Sequence, residues 1–350
     1  MRSEAQATQE ALAGTPRAAG LAMPAEWASH ERTMMAWPAR SELWNEALPQ
    51  AKRDYAAVAR AIAAFEPVLM VAPEGSRAEV RRRCGRGVEV IELPIDDSWL
   101  RDTGPVVVTG GAGVRAGVDF GFNGWGGKFE PWDRDNELPR VLLELLGVGR
   151  YEAPLVLEGG SIAVDGEGTL ITTEQCLLHP SRNPDLDRAE IESHLRDYLG
   201  VDTVIWLAHG LAEDHDTDGH VDNVAAFVRP GLVMLQTVAD VTSPNHERMA
   251  ENRERLRSAR DARGRQLETI EIDVLPMSDV RGAPGCVPYT NYYVCNGGVV
   301  VPVCGDDPDR DAEVLATIGR AYGREAVPVP GRTLAEGGGG VHCITQQVPF

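Results

Sequence analysis

Short apolar runs rich in β-branched residues recur along the chain, and longer stretches that favour helix separate them. The runs predict strands at residues 68–71, 88–93, 106–108, 161–164, 170–172, 225–228, 233–236, 291–294 and 299–303. The stretches between them predict helices at residues 50–65, 136–146, 185–199, 244–263 and 309–321. This alternation of strands with helices indicates an α/β fold class.

The strands fall into short groups, each associated with one helix, that recur about every 60 to 70 residues. Such a period is typical of repeat architectures, although an ordinary α/β sheet would also produce it. No Pro/Ser-rich linker divides the chain, so residues 22–350 are predicted to form a single domain. Residues 1–21, rich in Ala, Gly, Gln and Thr, are predicted to be a disordered N-terminal tail.

The charge balance limits the kinds of molecule that the protein is expected to bind. The chain has 34 Lys and Arg residues against 53 Asp and Glu residues, a formal net charge of −19. Such an acidic surface repels nucleic acid and anionic membranes and attracts cations, so we expect neither nucleic-acid nor membrane binding. No apolar run approaches the length of a membrane span, and the opening residues lack the apolar stretch of a signal peptide. We therefore expect a cytoplasmic protein.

Six cysteines form no Cys-x-x-Cys pair and no zinc-ribbon spacing, and a chain of this length needs no disulfides. Five of them are predicted to be small buried side chains. Cys343 differs because it follows four consecutive glycines, residues 337–340, and is adjacent to His342. Glycines allow close backbone approach, and a thiolate stabilised by a nearby cation or His is a nucleophile. We therefore predict a reactive thiol at Cys343.

Carboxylates cluster in two segments next to predicted strands. Asp96, Asp97 and Asp102 surround Trp99 in a segment that should be a loop at a sheet end. Carboxylates bind guanidinium bidentately and an indole face attracts it, although aspartates that cap a turn would give the same pattern. Glu158 precedes a Gly-Gly pair, which indicates close approach to the backbone.

A third acidic segment spans residues 213–223 and includes two histidines. Its aspartates at alternate positions match the start of an EF-hand calcium loop. The twelfth position of that loop would be Ala225 instead of a bidentate Glu, so the segment does not predict a calcium site. Zinc ligation by His215, Asp218 and His220 lacks a further well-spaced soft ligand. We therefore expect no metal.

The alternative for this segment is catalysis. His220 and Asp222 alternate with Val221, so on a strand both would project from the same face toward one site. A His beside a carboxylate is a general acid/base poised near neutral pH. A cysteine protease would gain little from the acidic clusters, whereas a cationic guanidinium or amidinium carbon suits a thiolate flanked by carboxylates.

Six segments together resemble one known family. They read Met23-Pro-Ala-Glu-Trp, Trp99-Leu-Arg-Asp-Thr-Gly-Pro, Phe122-Asn-Gly-Trp-Gly-Gly, Glu158-Gly-Gly, Thr217-Asp-Gly-His-Val-Asp-Asn and Gly338-Gly-Gly-Val-His-Cys-Ile-Thr-Gln-Gln. These motifs, spread over nearly the whole chain, are similar to those of the agmatine deiminases, which are peptidylarginine-deiminase-like guanidine-modifying enzymes. The resemblance implies a five-bladed α/β propeller (pentein) with pseudo-fivefold strand-helix modules, and hydrolysis of agmatine to N-carbamoylputrescine and ammonia without metal or organic cofactor.

The resemblance also implies roles for the reacting groups. Cys343 would attack the guanidinium carbon and form a covalent amidino intermediate. His220 would protonate the departing ammonia and then activate the hydrolytic water, and Glu158 would orient His220. In place of a usual Asn-Ile pair, the chain has Gly340 and Val341, which could loosen this loop.

Substrate contacts follow from the same resemblance. Asp102 and Asp222 would hold the guanidinium nitrogens, and Trp99 and Trp125 would form the pocket walls. Asp216 stands where many members have a substrate-contacting Glu, and one missing methylene could reshape recognition of the distal amine. Family members are often dimers or larger, so a homo-oligomer is expected.

Three alternatives stay open from the sequence. A deiminase of free arginine or of a peptide C-terminal arginine would require an Arg in the pocket for the carboxylate, and the acidic bias argues mildly against it. An amidinotransferase would pass the amidino group to an amine instead of water. A metal-binding module built on residues 213–223 is the alternative outside enzymes.

Overall fold

The computed structural model describes residues 10–280 and 282–350, and over this part of the chain strands and helices alternate as the apolar pattern predicts. The strands are β1 His30–Ala36, β2 Val68–Ala72, β3 Val88–Glu92, β4 Val106–Thr109, β5 Arg115–Gly121, β6 Gly149–Val156, β7 Ala163–Val164, β8 Thr169–Thr173, β9 Thr203–Leu207, β10 Ala225–Arg229, β11 Leu232–Gln236, β12 Glu268–Ile272, β13 Met277–Val280, β14 Ala283–Cys286, β15 Tyr293–Val294, β16 Gly298–Val303, β17 Glu325–Pro330 and β18 Thr345–Pro349. The mixed α/β content confirms the predicted fold class.

In these two described ranges, six helices have eight or more residues, and shorter helical turns lie between strands. The helices are α1 Leu48–Ala63, α2 Arg77–Cys84, α3 Asp133–Leu146, α4 Arg188–Leu199, α5 Asn245–Ser258 and α6 Pro308–Tyr322. The α-helical turns are Ser41–Trp44, Leu100–Thr103, Gly124–Gly127, Glu174–Leu177 and Arg332–Glu336. The 3-10 turns are Arg17–Ala19, Asn45–Ala47, Gly111–Gly113, Gly159–Ser161 and Val221–Asn223.

One strand arrangement recurs through the described residues. The sheets β4-β5-β6, β7-β8-β9, β10-β11-β12 and β15-β16-β17 each pair their first two strands antiparallel and their last two parallel. A parallel pair needs a long crossover, and α3, α4, α5 and α6 provide it. The sheet β18-β1-β2-β3 has the same core arrangement, because β1 is antiparallel to β18 and parallel to β2, with α1 as the crossover. This repetition explains the regular spacing of strand groups in the sequence.

The last strand closes the chain onto the first. Thr345 of β18 pairs with Met35 of β1, and Pro349 pairs with His30. Cys343 lies in the turn just before β18, and its carbonyl oxygen accepts a hydrogen bond of 3.1 Å from the amide of Arg101. The pairing therefore brings the C-terminal motif beside the turn that follows β3.

Several predicted elements differ in extent from the observed ones, and among them the strand predicted over residues 291–294 is limited to Tyr293–Val294. The helix predicted over residues 244–263 ends at Ser258, because Asp261 accepts hydrogen bonds from the amides of Arg263 and Arg265 and forms a turn instead. The strand predicted over residues 161–164 is limited to Ala163–Val164, since a 3-10 turn precedes it.

The predicted tail lies in part within the described residues. The amide of Leu12 donates to the carbonyl of Arg150 at 2.7 Å, and Arg17 forms an ion pair of 2.7 Å with Asp202. Leu21 is buried. This part of the segment therefore contacts the domain, while residues 1–9 lie outside the described residues and their prediction as a tail stays a prediction.

One apolar cluster supports the chemistry-bearing loops. It joins α1 and β2 to Trp44, Trp99, Trp125 and Cys343. Trp44 stacks on Trp99 with ring centroids 5.9 Å apart. The side chains beside the predicted nucleophile are therefore held by core packing. Among the described residues, no helix has the length and apolarity needed to cross a membrane.

Candidate active site

Four separate segments bring the five predicted catalytic side chains together. The 3-10 turn Val221–Asn223 holds Asp222, with His220 directly before it. Asp102 lies in the helical turn after β3, Glu158 follows β6, and Cys343 precedes β18. The prediction that His220 and Asp222 share a strand face is wrong, because the segment turns before β10 begins. The turn nevertheless points both side chains toward the same site.

Cys343 is buried beside a carboxylate and an amide. Its Sγ lies 3.6 Å from Asp222 Oδ2 and 3.3 Å from Asn291 Nδ2. Burial raises the pKa of the Cys343 thiol well above its usual value, and the charges of Asp222 and Asp102 raise it further. The thiol is therefore protonated at neutral pH until a cation offsets these charges.

Asp102 accepts hydrogen bonds from one side-chain donor and one backbone amide. Its Oδ2 accepts from the indole Nε1 of Trp125 at 2.9 Å, and its Oδ1 accepts from the amide of Gly160 at 2.9 Å. Burial raises the pKa of Asp102, although His220 opposes this, and Asp222 and Glu158 add to the increase. The three carboxylates thus form a concentrated negative site that favours a cationic ligand.

His220 is fully buried between two of these carboxylates. Its Nδ1 lies 3.9 Å from Asp102 Oδ1, and its Nε2 lies 3.9 Å from Glu158 Oε2. Burial alone would lower the pKa of His220, but Asp102, the neighbouring Cys176 thiol and Glu158 raise it well above the usual value. Neither ring nitrogen has a hydrogen-bond partner within the described residues. A charged imidazole with free N–H groups can donate a proton.

Arg182 is a site residue that sequence reasoning missed. Its Nε is 2.7 Å from Glu158 Oε1, its Nη1 is 2.6 Å from Asp218 Oδ2, and its Nη2 donates to the carbonyl of Thr217 at 3.0 Å. Burial opposes the charge of Glu158, but His220 and Arg182 lower the pKa of Glu158 below its usual value. Arg182 therefore connects Glu158 to the segment that positions His220.

An indole-walled cleft leads to the thiol. Trp99 and Trp125 line it, with Asp102 and Cys343 at its inner end. Asp216 lies at the exposed rim. The structure thus places all the predicted substrate contacts except Asp222 around one cleft, and Asp222 Oδ2 lies 3.6 Å from the thiol sulfur.

The acidic segment uses its aspartates for internal bonds. Asp214 accepts from Thr217 Oγ1 and from the amide of His220, and Asp218 pairs with Arg182 and Lys128. Over the described ranges, the one group close enough to hold a metal ion is a different set, with ligand atoms within 4.8 Å of one another. Its members are Glu158, Cys176 and His220. Asp102, which lies outside this set, together with Cys176 and Glu158 raises the pKa of His220 well above its usual value.

Gly160 has no room for a side chain. A Cβ there would lie 2.5 Å from His220 Nδ1, 2.9 Å from Asp222 Oδ2 and 3.0 Å from Asp102 Oδ1. We expect Gly160→Ala to lower kcat/KM at least about 10²-fold, because the methyl displaces all three groups from their working positions. Steady-state ammonia release measures this. Gly111→Ala is the matched control, since a Cβ there meets no atom within 4 Å, and equal losses in both variants would contradict the steric argument.

Known proteins are similar to this chain in both sequence and structure. The profile of the Porphyromonas-type peptidyl-arginine deiminases matches residues 22–349. The agmatine deiminase of Pseudomonas aeruginosa is 46% identical over 96% of this chain and 97% of its own length. That of Ectopseudomonas mendocina is 44% identical over 97% of this chain and 98% of its own.

Solved structures agree with these relatives. The agmatine deiminase of Enterococcus faecalis, described as catalysing its reaction, superposes with a TM-score of 0.93 at 35% identity, over 97% of this chain and 99% of that one. A variant of the agmatine deiminase of C. jejuni, solved with substrate bound, has a TM-score of 0.86 at 25% identity, over 94% and 96% of the two chains. The chain therefore belongs to the Porphyromonas-type peptidyl-arginine deiminase family and, within it, to the agmatine deiminases.

Proposed function

We propose that the protein hydrolyses agmatine to N-carbamoylputrescine and ammonia through a covalent intermediate on Cys343. The observation that carries this proposal is the buried thiol beside Asp222, at the inner end of a cleft that Trp99 and Asp102 line. A thiol protonated because of nearby carboxylates is a poor nucleophile toward neutral substrates. A guanidinium ion offsets those charges, so it activates the group that attacks it.

The first half of the reaction releases ammonia. Asp102 and Asp222 hold the guanidinium nitrogens, the bound cation lowers the pKa of the Cys343 thiol, and the thiol proton leaves to solvent. The Sγ–C bond forms and gives a neutral tetrahedral adduct. The charged His220 then protonates one NH2 group, the C–N bond breaks, and ammonia departs from an amidinium thioether.

The second half releases the product. His220, now neutral, takes a proton from water, and the hydroxide attacks the amidinium carbon. The Sγ–C bond breaks, the hydroxyl proton of the adduct passes to Sγ and restores the thiol, and the neutral urea product leaves. Glu158, fixed by Arg182, stabilises the charged form of His220 in each cycle. His220 thus transfers a proton in both halves, and the one proton released in each cycle is the thiol proton that leaves to solvent.

Agmatine suits the cleft better than arginine does. The described residues that line the cleft include no Arg or Lys that could pair with an α-carboxylate. Asp216 at the rim instead provides a negative charge for the distal ammonium. Ammonia release should therefore be measured on agmatine, free arginine and a peptide with C-terminal arginine. A preference for either arginine substrate would overturn the agmatine assignment.

Asp216→Asn should raise KM for agmatine about 5-fold, because an exposed ion pair contributes up to about 1 kcal/mol. Butylguanidine lacks the distal amine, so its KM should not change in the same variant. Initial rates with both substrates measure the difference. Equal changes for both substrates would show that Asp216 shapes the cleft without binding the amine.

We further propose that the five sheets that share this strand arrangement are the blades of a propeller and that residues 22–350 form one catalytic domain. The shared strand arrangement and the closure of β18 on β1 support this proposal. We propose a cytoplasmic location, and the net charge of −19 supports a protein that does not bind nucleic acid. A homo-oligomer is expected, and light scattering after size-exclusion chromatography tests it.

A further inference from the structure

His342, the residue before the nucleophile, lies between two carboxylates. Its Nδ1 is 2.9 Å from Asp222 Oδ2, and its Nε2 is 2.7 Å from Glu26 Oε2. An ionised carboxylate only accepts hydrogen bonds, so both ring nitrogens must bear hydrogen to satisfy the two contacts. This geometry requires a charged imidazolium at His342.

We propose that His342 is a positioning residue, an imidazolium held by Glu26 that keeps Asp222 ionised and correctly oriented for the guanidinium. This inference rests on the proposed function. Asp222 uses Oδ2 for His342, whereas its Oδ1 is buried and has no hydrogen-bond partner within the described residues. A buried acceptor without a partner is costly, and a guanidinium N–H would satisfy it.

The other groups around His342 fix its position and charge. Arg101 Nε donates to the carbonyl of His342 at 3.3 Å, and Arg101 Nη2 is 3.6 Å from Glu26 Oε2. The amide of His342 donates to Asn291 Oδ1 at 2.9 Å, and the Cys343 thiol follows directly. The cations Arg101 and His342 thus alternate with the carboxylates Glu26 and Asp222, so each charge lies next to one of opposite sign.

The ionisation equilibria agree with this arrangement. Burial and Arg101 lower the pKa of His342, but Glu26 and Asp222 raise it above its usual value. Although burial opposes the charge of Glu26, His342 and Arg101 lower its pKa to about 2. Burial likewise opposes ionisation of Asp222, and His342 lowers the pKa of that carboxyl. Removing the imidazolium should therefore raise the pKa of Asp222.

His342→Asn should lower kcat/KM for agmatine about 10²-fold, and the acid limb of its pH profile should move to higher pH. The shift is toward higher pH because Asp222, without the His342 imidazolium beside it, becomes protonated at a higher pH. Glu26→Gln should move the profile in the same direction by a smaller amount. The Glu26→Gln variant retains the volume of the side chain, so it still tests the proposal if His342→Asn does not fold.

His30→Asn is the matched control, because His30 is also a buried His paired with a glutamate, Glu66, at 3.0 Å. It should lower the melting temperature and leave the pH profile unchanged. A purely structural role for His342 would give this same result, and an unchanged profile in both site variants would overturn the proposal.

Nitrogen-15 NMR of histidine-labelled wild-type protein tests the charge directly, with His342→Asn to assign the signal. We expect both ring nitrogens of His342 to show the protonated shift at neutral pH. A neutral ring would overturn the inference whatever the activity. Absence of agmatine turnover in the wild type would overturn the proposed function instead, since the NMR result does not depend on catalysis.

Discussion

Cys343→Ala should lower kcat for agmatine at least about 10³-fold, because the variant loses the atom that forms the covalent intermediate. The methyl group fits the space of the thiol, and the hydrogen bonds of Asp102 to Trp125 and Gly160 do not involve Cys343. Substrate binding should therefore persist while chemistry stops. Ammonia release and equilibrium binding of agmatine separate these two effects.

Formation of the covalent intermediate can be measured separately from turnover. Rapid quenching followed by intact-mass measurement should show an amidino adduct in the wild type and none in Cys343→Ala. Cys304→Ser is the control, because Cys304 lies outside the site at the end of β16, and it should retain both turnover and adduct. Turnover in Cys343→Ala close to that of the wild type would refute the mechanism.

The high pKa of the Cys343 thiol leads to a related expectation for its reactivity. Chloroacetamidine, a cation, should alkylate Cys343 much faster than the neutral iodoacetamide at the same pH, because only the cation offsets the charges of Asp222 and Asp102. Comparing inactivation rates with the two reagents measures this. Equal rates would indicate a thiolate that exists before the substrate binds.

Most of the candidate site was predictable because its residues are chemically unusual in short motifs. A His-Cys pair shortly after four glycines and a His-x-Asp segment each place reactive side chains close together along the chain, so each could be recognised locally. Arg182 and Asn291 could not, since each looks ordinary in its own segment. Arg182 contacts Glu158 from 24 residues away, and Asn291 contacts Cys343 from 52 residues away. Only the fold brings these pairs together.

Most of the strands that were predicted are apolar, although the apolar β9, Thr203–Leu207, was missed together with polar strands. The valine-rich β2 and β16 are clear in the sequence, whereas β18 contains Thr345, Gln346 and Gln347 and was not predicted. These polar side chains are buried because specific partners satisfy them. Gln346 Nε2 donates to the carbonyl of Pro105 at 2.8 Å, and Gln347 Oε1 accepts from Arg101 Nη1 at 2.7 Å. Hydropathy cannot reveal a strand that is stabilised in this way.

His220→Gln should lower kcat about 10²- to 10⁴-fold, since both halves of the proposed reaction pass a proton through this imidazole. In the wild type, the pKa of His220 is raised well above its usual value by Asp102, Cys176 and Glu158, despite the opposing effect of burial. The acid form therefore persists through neutral pH, and kcat should fall on the alkaline side as His220 loses the proton needed for ammonia release. The His220→Gln variant should have a lower kcat, and that kcat should no longer fall at alkaline pH.

The pH profile separates proton transfer from a structural role of the buried ring. His209→Gln is the control, because His209 is a partly exposed His whose Nε2 lies 3.1 Å from Glu251 Oε2, and it should keep the wild-type profile. Arg182→Gln should give an intermediate result, since it loosens Glu158 but retains the imidazole of His220. A near-normal rate in His220→Gln would mean that His342 or solvent transfers the proton, and the charge arrangement around His220 would then serve only to bind the cationic substrate.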